Sequence, residues 1–144
     1  MNRPFNIKTF IIVMLLTSIW INIAEVARAM LVAFPMMEEF YAGRIEIGPM
    51  GVSNALIWAL WDTILSGTLV FIYWLCKQSF THTNRAIVIS GSVTALATLG
   101  VFWIASVNSG LGTWTMAFTI FPIAWIEMLI GAFIASKLYD KFER

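Results

Sequence analysis

Residues 9–34, "TFIIVMLLTSIWINIAEVARAMLVAF", decide the fold class. The apolar residues run on without alternation, and a helix needs roughly 20 residues to cross a hydrocarbon core of about 30 Å. Three further runs of the same kind follow, at about Gly51–Leu75, Ala86–Val107 and Thr115–Leu138. In lipid an unpaired backbone N–H or C=O is costly, so only helices and closed barrels span. Barrel strands read as alternating segments of about ten residues, and these runs do not. The sequence therefore predicts an all-α polytopic integral membrane protein: a four-transmembrane-helix bundle forming a single membrane domain over residues 1–144. An outer loop is expected at 35–50.

Composition agrees. Of 144 residues 60% are hydrophobic and 12% charged, with a mean hydropathy of +0.83. Soluble domains carry about a quarter charged residues. Net charge is +1 and identifies no partner, but the placement of charge is informative. Arg3 and Lys8 precede the first run, Lys77 and Arg85 flank the second connection, and Lys137, Lys141 and Arg144 close the chain. The first connection instead holds Glu38, Glu39 and Glu46 against Arg44, and the third holds no charge. By the positive-inside rule both termini and the middle connection are cytoplasmic, and the expected location is a bacterial inner membrane. The "ARA" at 27–29 imitates a secretory cleavage site, but the apolar run before it is longer than a signal core and is read as a retained span.

Aromatic positions divide into two groups. Tyr73, Trp74, Trp103 and Trp114 fall near run ends and are expected to anchor at the membrane interface. Trp20, Trp58, Trp61 and Trp125 fall deep, where tryptophan either packs helices or lines a ligand cavity. Pro35 is expected to end the first helix and Pro122 to kink the fourth. A W-x-x-x-L-x-G echo relates Trp61, Leu65 and Gly67 to Trp125, Leu129 and Gly131, as a duplicated two-helix unit would.

Three acids lie inside the runs. Glu25 is about nine residues below the end of the first run, roughly 14 Å, while Asp62 and Glu127 lie roughly 16–18 Å below the starts of theirs. All three therefore reach nearly one level. An ionisable side chain there costs about 2.5–3.5 kcal/mol on insertion scales, so the acids should face the bundle interior. The surrounding faces fit: Ser18, Asn22, Glu25 and Ala29 share one stripe, Ala124, Glu127, Gly131 and Ala135 another, and Asp62 shares a face with Ser66. Gly91, Thr94, Ala95 and Thr98 give the third run an uncharged equivalent. Arg28, three residues from Glu25, is its natural counterion. One arginine leaves two of three carboxylates without a partner, and close buried acids take up a proton or a cation. A buried ionic network that only fixes helix register is the alternative.

Other chemistry is absent from the sequence. His82 is the lone histidine and lies in a connection, and Cys76 is the lone cysteine, so haem, zinc and disulfide patterns are missing. Met36, Met37 and Met50 form only a loose methionine group of the kind a soft copper ion takes. No phosphate loop, serine elbow or basic aromatic patch for nucleic acid occurs. The expectation is a small transporter or channel-like protein, with no cofactor and no catalytic residues. It would bind a proton or small cation at Glu25, Asp62 and Glu127. Arg28 would set the charge balance, Asn22 would hydrogen-bond, and Trp58, Trp61 and Trp125 would offer aromatic faces. Its partners would be the lipid bilayer and either further copies in a homo-oligomer or another membrane protein. A non-catalytic accessory subunit of a larger membrane complex is the competing expectation.

Overall fold

Asn6 begins the first helix: its Oδ1 accepts from the backbone N–H groups of Lys8 at 3.0 Å and Thr9 at 3.1 Å, satisfying donors that a helix start leaves open. In this computed structural model, which describes residues 5–45, 48, 51–80 and 83–143, four long helices follow. They are α1 (Ile7–Tyr41), α2 (Val52–Ser79), α3 (Thr83–Asn108) and α4 (Trp114–Phe142). Each is long and apolar enough to cross a membrane, and no strand occurs among the described residues. Arg3, Glu46, Met50, His82 and Arg144, which entered the reading of charge and ligands above, lie outside the described residues.

Pro35 does not end α1, and the expected loop at 35–50 starts only after Tyr41. The physical reason is a widened π turn at Ala29–Ala33, in which the N–H of Phe34 bonds to the carbonyl of Ala29. A proline in a regular helix collides with the carbonyl four residues back, and a wider turn just before it removes that conflict. The tail of α1 then folds over the end of the bundle, where the Tyr41 hydroxyl donates to the Leu111 carbonyl at 2.7 Å. Pro122 likewise sits inside an unbroken α4, whose start is capped by Thr113 Oγ1 accepting from the Met116 N–H at 3.2 Å. A second π turn, Leu96–Gly100, interrupts α3.

The helices form a ring in sequence order: α1 packs on α2 and α4, and α3 packs on α2 and α4. The α2–α4 diagonal is the closer one. Short connections make neighbours antiparallel, so one end of the bundle, here called proximal, gathers the start of α1 and the finish of α4. The distal end gathers the finishes of α1 and α3 and the starts of α2 and α4, with the connection 109–113. Gly91 brings two backbones close: a Cβ there would meet the Leu129 Cα at 3.0 Å, so α3 and α4 touch almost backbone to backbone.

Three apolar layers fill the bundle. Val13, Val70, Tyr73, Ala86, Ala135 and Tyr139 make the proximal layer. Ile21, Leu65, Leu69, Leu99 and Met128 lead the central one. Ala33, Trp103, Met116, Ala117 and Ile120 make the distal one, with Met36 and Met37 packed against it. Tyr73 and Trp103 are thus core residues rather than interface anchors. The distal layer contains no residue of α2, and none of Val52–Trp61 is buried. The distal half of α2 therefore stands away from the bundle, and that separation shapes the site below.

Candidate functional site

Four charged side chains are buried among the described residues: Glu25 and Arg28 on α1, Asp62 on α2 and Glu127 on α4. They are 9%, 8%, 4% and 7% exposed, so each has left solvent almost completely. Equal depth on antiparallel helices brings them together. Counted from the proximal helix ends, Glu25, Asp62 and Glu127 lie roughly 27, 26 and 23 Å along their axes.

Arg28 organises the group. Its Nε donates to Glu127 Oε2 at 3.1 Å, and its terminal nitrogen donates to Glu25 Oε2. The guanidinium thus clamps α1 to α4 and is shared by two carboxylates, as its fork of donors permits. Trp20 reinforces the same seam, its Nε1 donating to the Glu127 backbone carbonyl at 3.1 Å. Glu25 Oε1 is buried without a hydrogen-bond partner. Asp62 stands within electrostatic reach of Glu25, Arg28 and Glu127, yet its carboxylate makes no hydrogen bond or ion pair among the described residues.

Glu25, Arg28 and Asp62 lie on the wall of a cavity of about 540 Å³ between the distal halves of the helices. The space exists because α2 diverges there, and both π turns border it through Ala29, Ala33 and Leu99. Its remaining wall is mostly aromatic and aliphatic. Trp58 faces Phe34 with ring centroids 5.3 Å apart, and Trp61 meets Phe102 edge-on at 6.4 Å. Among the described residues no three His, Cys, Asp or Glu side chains converge as a metal site requires.

No protein-family model, curated protein or solved structure matches the chain. The site must be understood from its own residues.

Of the eight side chains singled out from sequence, six stand at the cluster or the cavity: Glu25, Arg28, Asp62, Glu127, Trp58 and Trp61. Two do not. Asn22 is half-buried and donates to the Ser18 carbonyl of its own helix at 2.8 Å, because a short amide side chain reaches the second lone pair of a carbonyl one turn back before any partner on another helix. Trp125 points away on the α3 side, its Nε1 donating to Ser92 Oγ at 2.9 Å and its ring stacked on Phe121. The W-x-x-x-L-x-G echo is accordingly not an echo of environment: Leu65 is buried and Leu129 only half so.

Trp103, Phe34, Phe102, Met37 and Met116 line the cavity and were not singled out for it. Trp103 carried a usable signal. Twenty residues along α3 from Thr83 put it roughly 30 Å from the proximal end, level with the acids and just beyond.

Proposed function

We propose that the chain is a small integral membrane transporter or channel-like protein, its four helices spanning a bilayer, with a cation site at Glu25 and Asp62. Both termini would be cytoplasmic in a bacterial inner membrane, a placement that rests on the basic residues at the termini and the middle connection. The observation that carries the reading is Asp62: a carboxylate 4% exposed, on the wall of a 540 Å³ cavity, with no cationic or hydrogen-bonding partner among the described residues. A buried charge without a partner is expensive and is retained at functional sites, not at packing sites. Glu127 serves the site indirectly, by holding Arg28, which in turn holds Glu25 on the cavity wall.

The test is flux in proteoliposomes under an imposed cation or proton gradient. Wild-type flux that Asp62→Asn removes supports the proposal, and flux equal in the two proteins overturns it.

A second reading has its own observation. None of the ten residues Val52–Trp61 is fully buried, and Leu56, Ile57 and Leu60 are all exposed on that half-helix. An apolar segment of this kind fits contact with a further copy or a membrane-protein partner, as in an accessory subunit. The mass of the detergent-extracted complex decides: a stable heteromer favours the subunit reading, and a monomer or homo-oligomer disfavours it.

A further inference from the structure

We propose that the cavity takes a lipophilic amine in its protonated form, with at least one N–H on the cationic nitrogen. The inference rests on the cation-site reading above and names the substrate class for it. Three observations select that class.

Volume comes first. A cavity of about 540 Å³ falls in the range of about 300–1,000 Å³ typical of sites for small organic molecules. A bare metal ion or proton would leave most of it to water lying against aromatic and aliphatic walls. The donor set agrees, since no trio of acids converges on one point among the described residues.

Polar demand comes second. The cavity wall carries acceptors without donors among the described residues, those of the Asp62 carboxylate, and Glu25, which shares that wall, has its Oε1 buried without a partner. Arg28 directs its bonds to the other Glu25 oxygen and to Glu127. Buried acceptors need donors, and leaving one unmet costs about 1–3 kcal/mol. An alkylammonium supplies both the charge and the N–H groups. A quaternary ammonium supplies only charge.

The wall comes third. Trp58, Trp61, Phe102 and Trp103 stand beside and beyond the acids, offering aromatic faces to a cation and apolar surface to the body attached to it. The ligand so described has a compact cationic head with N–H donors and a hydrocarbon or aromatic tail.

The experiment is calorimetric titration of the full chain in nanodiscs, with empty nanodiscs subtracted. The probes are hexylammonium and 2-phenylethylammonium, their N,N,N-trimethyl analogues, neutral 2-phenylethanol, and sodium, potassium and magnesium ions. The expected result is saturable binding of the primary ammonium ions, at least tenfold weaker for the trimethyl analogues and undetectable for 2-phenylethanol. Asp62→Asn should weaken the primary ammonium ions at least tenfold, and Asp62→Glu should restore most of the loss. If Asp62→Asn does not fold, the comparison of primary with trimethyl ligands on the wild type still decides. Equal binding of the trimethyl analogues, or of 2-phenylethanol, overturns the inference. Binding of an inorganic cation that depends on Asp62, with no amine binding, overturns the inference and leaves the cation-site reading standing. Binding of neither kind overturns both.

Discussion

Arg28 and Glu127 meet at 3.1 Å across the seam of α1 and α4, and the same guanidinium also holds Glu25. Removing the arginine therefore strands two carboxylates in a water-poor interior. Breaking a buried pair from one side costs about 3–5 kcal/mol, because the remaining charge is uncompensated. Arg28→Gln should destabilise the bundle by that amount in a denaturant titration of the detergent-solubilised protein. The double variant Arg28→Gln/Glu127→Gln should recover part of the loss, since it leaves one stranded acid fewer. An Arg28→Gln protein as stable as wild type would show that the seam does not depend on the ion pair.

Asp62 should respond in the opposite sense. Its carboxylate has no partner to lose, so Asp62→Asn removes a desolvated charge and breaks no ion pair. Stability should stay the same or rise by up to about 2 kcal/mol, while Glu127→Gln lowers it. The two variants compared in one titration separate a group held for function from a group held for packing. A loss for Asp62→Asn matching that of Glu127→Gln would assign both to structure.

Two glycines offer a further contrast. At Gly91 an added Cβ meets the Leu129 backbone at 3.0 Å, whereas at Gly67 it meets the flexible Met14 Sδ at 3.2 Å. Backbone cannot yield as a thioether can. Gly91→Ala should destabilise by about 1–3 kcal/mol through overpacking, and Gly67→Ala by less than about 1 kcal/mol. Thermal unfolding followed by helicity checks both, and equal effects would contradict the close α3–α4 approach.

The parts of this arrangement that sequence revealed are those governed by period and depth. Apolar runs too long for a soluble helix predicted the four helices, and equal depth predicted that Glu25, Asp62 and Glu127 stand at one level. The inward faces followed from the small residues beside them. What stayed hidden depends on departures from the regular helix. The π turn at Ala29–Ala33 carries α1 through Pro35, and no periodicity announces such a turn. The divergence of α2 at its distal half is a property of packing between helices, so the cavity and the role of Trp103 emerge only in three dimensions. Asn22 and Trp125 share polarity and depth with the site, but local partners, the Ser18 carbonyl and Ser92 Oγ, hold them elsewhere.

That separation of the tryptophans is itself testable. Trp58 lies on the cavity wall against Phe34, while Trp125 lies outside it against Ser92 and Phe121. A cation over an aromatic face in a desolvated site gains about 1–2 kcal/mol, which is roughly 5- to 30-fold in affinity. Trp58→Leu should weaken binding of 2-phenylethylammonium by that factor, and Trp125→Leu should leave it within about twofold. Leucine keeps the apolar character at either position, so a difference reports the ring and its place rather than hydrophobicity. Quenching should follow the same division, with a bound spin-labelled amine dimming fluorescence strongly where Trp58 is the sole tryptophan and weakly where Trp125 is. Equal losses in both variants, or equal quenching of both rings, would place the ligand outside the cavity between α1, α2 and α3.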